Sequence, residues 1–137
     1  GHILIPRHAQ DANAVSNCPF HDNCLEGLAS GASLNLRAPG AVSELPLDDA
    51  IWVSEIYYLA LMCANLTQIY SPQKIVLGGG VMSKHGLLPK VREEFLRLVN
   101  GYAYESILEN IEDYIVPSAL DGIAGVVGAI ALARSVR

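Results

Sequence analysis

From Arg7 to Asn23 the chain shows no hydrophobic periodicity. Asp11, Asn13, Ser16, Asn17, Pro19, Asp22 and Asn23 punctuate a polar, irregular run. A loop of this length is unusual in a compact domain unless something pins it. The far end offers a pin in "CPFHDNC", where Cys18, His21 and Cys24 are spaced C-x2-H-x2-C and Pro19 stiffens the turn. Zinc in a closed structural site takes four nitrogen or sulfur donors in a tetrahedron. Three can wrap one ion from this segment. His2 and His8, both upstream, are the candidates for the fourth place, and His2 stands at the mouth of a strand-like run.

Two plainer readings compete. Three cysteines cannot all pair. A Cys18–Cys24 disulfide is disfavoured in a reducing compartment and leaves His21 without a purpose. The alternative is two buried cysteines and a surface histidine. Cys63 falls on an apolar helical stripe and reads as a small buried hydrophobe.

Around the loop, short strands and helices alternate, which sets the class as α/β. Residues 2–5 read as a short buried strand ended by Pro6. A helix is expected from Leu25 to about Leu36, then a linker, "RAPGAVSELP". Asp48 and Asp49 open the clearest helix, which runs to about Tyr70 and stops at Ser71-Pro72. "KIVLGGGV" is a strand followed by a triple-glycine turn, with Lys84 and His85 as solvated residues after it. A helix follows from Gly86 or Leu87 to about Asn100, then a strand at 114–117. The last helix, Gly122 to Val136, carries Gly122, Gly125, Ala129 and Ala133 as a face for close packing.

Of the 137 residues, 51% are hydrophobic and 17% charged, enough for a real core. The net charge of −5 and the lack of a Lys/Arg cluster argue against a nucleic-acid partner. There is no run of about 18 uninterrupted apolar residues, so no membrane span is expected. "GHILIPRH" has no basic n-region or long apolar run, so a cytoplasmic location is expected. The chain opens without Met, as if cut from something longer.

Four pieces in order, "GHILIPRH", "CPFHDNCLEGLASG", "IVLGGGVM" and "DYIVPSALDGIAGVVGAIALA", resemble the ROK family of sugar kinases. The Cys-Pro-Phe-His form resembles its bacterial fructokinase branch. The resemblance implies an actin-like, ribonuclease-H-like ATPase fold. It implies a single C-terminal lobe over 1–137, with a zinc- and sugar-binding segment at 1–36 and a nucleotide-side segment at 74–137. It implies a structural zinc held by His2, Cys18, His21 and Cys24, and sugar hydroxyls bound by Glu26 and His2. The macrodipole alone would also place an acid at Glu26. By the same resemblance Gly78, Gly79, Gly80, Val81 and Met82 line the ATP side, as does Ala32, where the family commonly has proline.

The family's first phosphate loop and catalytic aspartate lie upstream of the Gly-His motif, and neither is present. Asp11, Asp22, Asp48 and Asp49 stand in other contexts, and Asp121 is given no role. The implied protein is an ATP- and Mg2+-dependent hexose kinase, with fructose the expected sugar, a possible homodimer, and no activity in this piece alone. Two alternatives are the sugar-sensing half of a ROK transcriptional repressor and a zinc-stapled binding module without enzymology.

Overall fold

The strongest helical signal becomes the central element of the computed structural model, which describes residues 1–102 and 105–136. This is helix α3, Ala50–Tyr70; the helices before it are α1, Leu25–Ala29, and α2, Gly31–Arg37. The Asp49 carboxylate caps α3 by accepting from the Ile51 N–H at 2.9 Å. At the other end Ser71 turns left-handed at φ 44° ahead of Pro72. By length and composition α3 could cross a membrane, with a mean hydropathy of 1.2, which counting uninterrupted apolar runs does not register. Half of that window, 50%, is buried inside the protein, so its apolarity forms the core.

Helix α4, Leu87–Val99, packs along α3 through Leu87, Val91, Phe95 and Val99, all buried and one helical turn apart. They meet Trp52, Ile56, Ala60 and Cys63 of α3. Cys63 is the small buried hydrophobe expected, and burial pushes its thiol up to about 12. Strands β1, Ile75–Leu77, and β2, Ile115–Pro117, close this core as a parallel pair with Ile75 opposite Ile115. Two short helices before β2, α5 (Glu105–Glu109) and α6 (Ile111–Tyr114), are absent from the sequence reading. They bury Ile107 and Tyr114, whose hydroxyl lies 2.8 Å from that of Thr67.

Four expectations need correction. Residues 2–5 form no buried strand: Leu4 makes an isolated antiparallel bridge with Cys24 and is 63% exposed, and only Ile5 is buried. The segment pairs with residues 23–26 on one side, and Ile5 alone reaches the cluster with Leu28 and Tyr58. The single helix at 25–36 is broken at Ser30, whose extended backbone ends α1 and whose hydroxyl caps α2, accepting from Ser33 N at 3.1 Å. Lys84 is a clasp: its ammonium donates to the carbonyls of Ser43 (2.8 Å) and Leu45 (2.7 Å) over the Trp52 ring, tying the linker down. The last helix, α7, Ala124–Ser135, follows a 3-10 turn at Asp121–Ile123 and has no buried residue. Among the described residues its expected close-packing face is left open, for a Cβ at Gly122 or Gly125 would find no atom within 4 Å.

Candidate metal centre and the adjoining recesses

Cys24 lies within the antiparallel pairing and caps α1, so its position is fixed twice. The Leu25 N–H donates to Ile3 O, and the Gly27 N–H donates to the Cys24 sulfur at 3.3 Å. Around that sulfur gather His2, Cys18 and His21, and the four donor atoms lie within 4.8 Å of one another. Cys18 Sγ is 3.6 Å from His2 Nδ1 and 3.6 Å from His21 Nδ1; Cys24 Sγ is 3.7 Å from His2 Nδ1. Bonds of about 2.3 Å to sulfur and about 2.0 Å to nitrogen, at tetrahedral angles, place neighbouring donors about 3.5 Å apart. Donor types and spacing therefore fit zinc. The fourth place, left open by spacing, goes to His2. His8 lies elsewhere, its ring beside Tyr57 and its Nδ1 accepting from Gln10 N.

The thiols differ. The Phe20 N–H lowers the Cys18 thiol to about 7, against burial and helped by His21. Burial raises that of Cys24, opposed by the Gly27 N–H. Gly27 is a close-approach position: a Cβ there would overlap the Ser16 hydroxyl and come within 2.9 Å of Cys18 Cβ. Ser16 in turn donates to His21 O at 2.7 Å and accepts from Cys18 N at 3.2 Å.

The loop has further support that the sequence reading missed. The Arg7 guanidinium donates to the carbonyls of Asp11, Ala14 and Asp22 and so draws both ends of the loop together. Asp11, set aside as a catalytic acid, is buried and accepts at Oδ2 from Tyr58 and Arg37, both at 2.9 Å. The loop is thus tied at the four-donor cluster and, independently of any metal, by Arg7 and by Asp11.

Glu26 sits in the first turn of α1, exposed, with Gly1 against it and its N–H bonded to Gly1 O at 2.7 Å. It borders a recess of about 240 Å³ shared with Ala29, Ser30, Gly78, Val81 and Met82. A second recess of about 620 Å³ opens at the carboxyl ends of the two strands, between the glycine turn and the start of α7. Gly78 and Met82 line both. Gly79 takes φ 92°, a conformation that favours glycine. Gly78 leaves no slack, for a Cβ there would stand 3.0 Å from Ser118 Cβ. Gly80, Val81 and Met82 continue into a 3-10 turn, Gly80–Ser83. Ala32 is exposed on α2, and its neighbour Gly31 faces Val81. Glu26 thus borders one recess with Gly78, Val81 and Met82 of the glycine turn, and the four-donor cluster lies at the base of the helix carrying Glu26.

Comparison with known proteins adds an independent finding. The family model described as "ROK family" matches residues 1–136. A fructokinase of Pediococcus pentosaceus is 41% identical over 98% of this chain and 46% of its own length. A fructokinase of Streptococcus mutans is 37% identical, over 99% of this chain and 46% of its own. A glucokinase of Halalkalibacterium halodurans is 31% identical over 93% of this chain and 44% of its own. The chain spans about half the length of these relatives.

Proposed function

Because the chain belongs to the ROK family, we propose that it is the C-terminal part of an ATP-dependent hexose kinase that converts fructose to fructose 6-phosphate. The observation that carries this reading is the cluster of His2, Cys18, His21 and Cys24 at the root of the helix that bears Glu26. Zinc at those four donors would be structural, since four protein ligands close a tetrahedron and leave no place for a reacting group. His2 turns Nδ1 toward the sulfurs, which leaves its other ring nitrogen to donate in one fixed direction. Glu26, ionised, accepts from vicinal sugar hydroxyls, and such charge-assisted bonds are the stronger kind.

The nucleotide side is Gly78, Gly79, Gly80, Val81 and Met82, with Ala32 on the neighbouring helix. Support comes from the glycine turn at the carboxyl ends of parallel strands, where α/β folds bind phosphates. An actin-like fold and a single lobe over 1–137, divided at 1–36 and 74–137, belong to the same reading. Phosphoryl transfer also needs a base, γ-phosphate donors and Mg2+. We assign the base and first phosphate loop to the remainder of the parent protein, so the 137 residues alone are inactive. The free thiols of Cys18, Cys24 and Cys63 suit a reducing cytoplasm. A homodimer would form on the open flank of α3 near half-buried Tyr57. The kinase names of the matched relatives favour this reading over a repressor's sugar-sensing half.

Calorimetry on the full-length parent tests it. Fructose is expected to bind in preference to glucose, and Glu26→Gln to weaken it about tenfold or more, as for the loss of a charge-assisted bond. No hexose binding, or unchanged binding in Glu26→Gln, refutes it.

A further inference from the structure

The densest buried polar cluster apart from the metal donors lies beneath the 7–23 loop. Arg37, in the last turn of α2, donates from Nη1 to Asp11 (2.9 Å), from Nη2 to Leu28 O (2.7 Å) and from Nε to Ser33 O (3.4 Å). Leu28 O also accepts from the Ser33 hydroxyl at 3.1 Å, so both bonds span the break at Ser30. On the far side stands Glu55 of α3, fully buried, with one oxygen 3.8 Å from Arg37 Nη2 and neither oxygen hydrogen-bonded.

One guanidinium thus faces two buried carboxyl groups and, of the two, hydrogen-bonds only that of Asp11. An ionised Glu55 in that place would be a buried charge without a hydrogen bond, facing only the guanidinium 3.8 Å away. Burial raises the Glu55 carboxyl well above its ordinary value, opposed by Arg37 and reinforced by Asp11. The other titratable groups around it are settled. Tyr58 is pushed up to about 12 by burial, so it stays neutral while it accepts from His8 N and donates to Asp11. The His8 ring faces Ser54 and Tyr57.

We propose that Arg37 is a positioning residue for the sugar-facing wall: its guanidinium, held between Asp11 and Glu55, sets how α1 and the metal-bearing loop meet α3. Arg37 touches neither substrate; it acts through the Leu28 carbonyl at the end of the helix carrying Glu26, and through Asp11 at the root of the loop. When Glu55 ionises, the guanidinium is drawn from Asp11 toward a second carboxylate, and the loop and α1 loosen. The sugar-binding part of this inference rests on the reading given under Proposed function.

The test uses the zinc-loaded, full-length parent with three variants. Arg37→Met keeps the side-chain length without the charge, Arg37→Lys restores one donor, and Glu55→Gln keeps the shape without the titration. Arg37→Met is expected to raise the KM for fructose roughly tenfold, as for a lost charged hydrogen bond, with kcat, the KM for ATP and zinc content near wild type. Arg37→Lys recovers part of the loss. Wild-type KM for fructose rises toward alkaline pH, and Glu55→Gln abolishes that rise. A zinc-loaded Arg37→Met with unchanged KM for fructose overturns the proposal, as does an alkaline rise that persists in Glu55→Gln. If Arg37→Met fails to fold, Arg37→Lys and the Glu55→Gln pH profile decide.

A wild-type parent that phosphorylates no hexose defeats the functional reading instead. The clamp is then judged by hydrogen exchange. Amides of residues 12–17 and 26–28 should exchange faster in Arg37→Lys than in wild type, and equal rates overturn it.

Discussion

Gly27 shows how little freedom the metal loop has. Any side chain there displaces Ser16 and Cys18 together. Gly27→Ala should therefore destabilise the chain by about 1–3 kcal/mol, the usual cost of overpacking, and lower zinc content below the one ion per chain expected of wild type. Thermal unfolding and metal analysis on the same samples check both. Glu55 makes the opposite case, a residue whose charged form the native state disfavours because it is buried. Its folded pKa is raised, so its contribution to stability is fully present below the unfolded carboxylate pKa and is lost as pH climbs through the folded value. Urea midpoints should fall over that rise in wild type and stay flatter in Glu55→Gln. Cys18, His21 and Cys24 were legible because their spacing is local. Spacing left His2 and His8 open, and only the family resemblance named His2, since its place depends on the backbone pairing of residues 1–5 with 23–26. The Asp11–Arg37–Glu55 cluster was not legible, for its members come from a loop and two helices that only the tertiary fold brings together.

At the break between α1 and α2 one hydroxyl, that of Ser30, caps the second helix. Ser30→Ala removes the cap on α2 and should cost about 1 kcal/mol, measured as a shift in the urea midpoint with an unchanged slope. The sequence favoured one helix because Leu25, Leu28, Ala29, Ala32 and Leu36 keep a helical spacing through the break. A capping serine in mid-stripe outweighs that spacing when glycine follows it. By contrast α3 was readable from both ends, with an acidic cap at Asp49 and Ser71-Pro72 as its stop. Helices α5 and α6 are too short for periodicity to register. Lys84 looked solvated because the carbonyls it binds lie about forty residues earlier in the chain, on a linker without pattern.

Across the whole chain, the α/β class and the order of its principal elements followed from alternating strand and helix signals, as found. The partnership of α7 did not. Its Gly/Ala spacing promised a packed face, yet Val126, Ile130 and Leu132 are 63%, 51% and 66% exposed. Val76, on the outer face of β1, is also exposed, although parallel sheets are ordinarily covered on both faces. Exposed apolar side chains gathered on one helix favour association. The 137-residue chain should self-associate at micromolar concentration in light scattering, and an Ile130→Lys, Leu132→Lys double variant should stay monodisperse without losing thermal stability. Expressed alone in a cell, without the rest of the parent protein, these 137 residues would offer the same helix as an address for quality control. Holdases and proteases grip chain segments that show aliphatic side chains to water, so pulse-chase turnover of this chain would be set by α7 rather than by the well-packed core around Phe95.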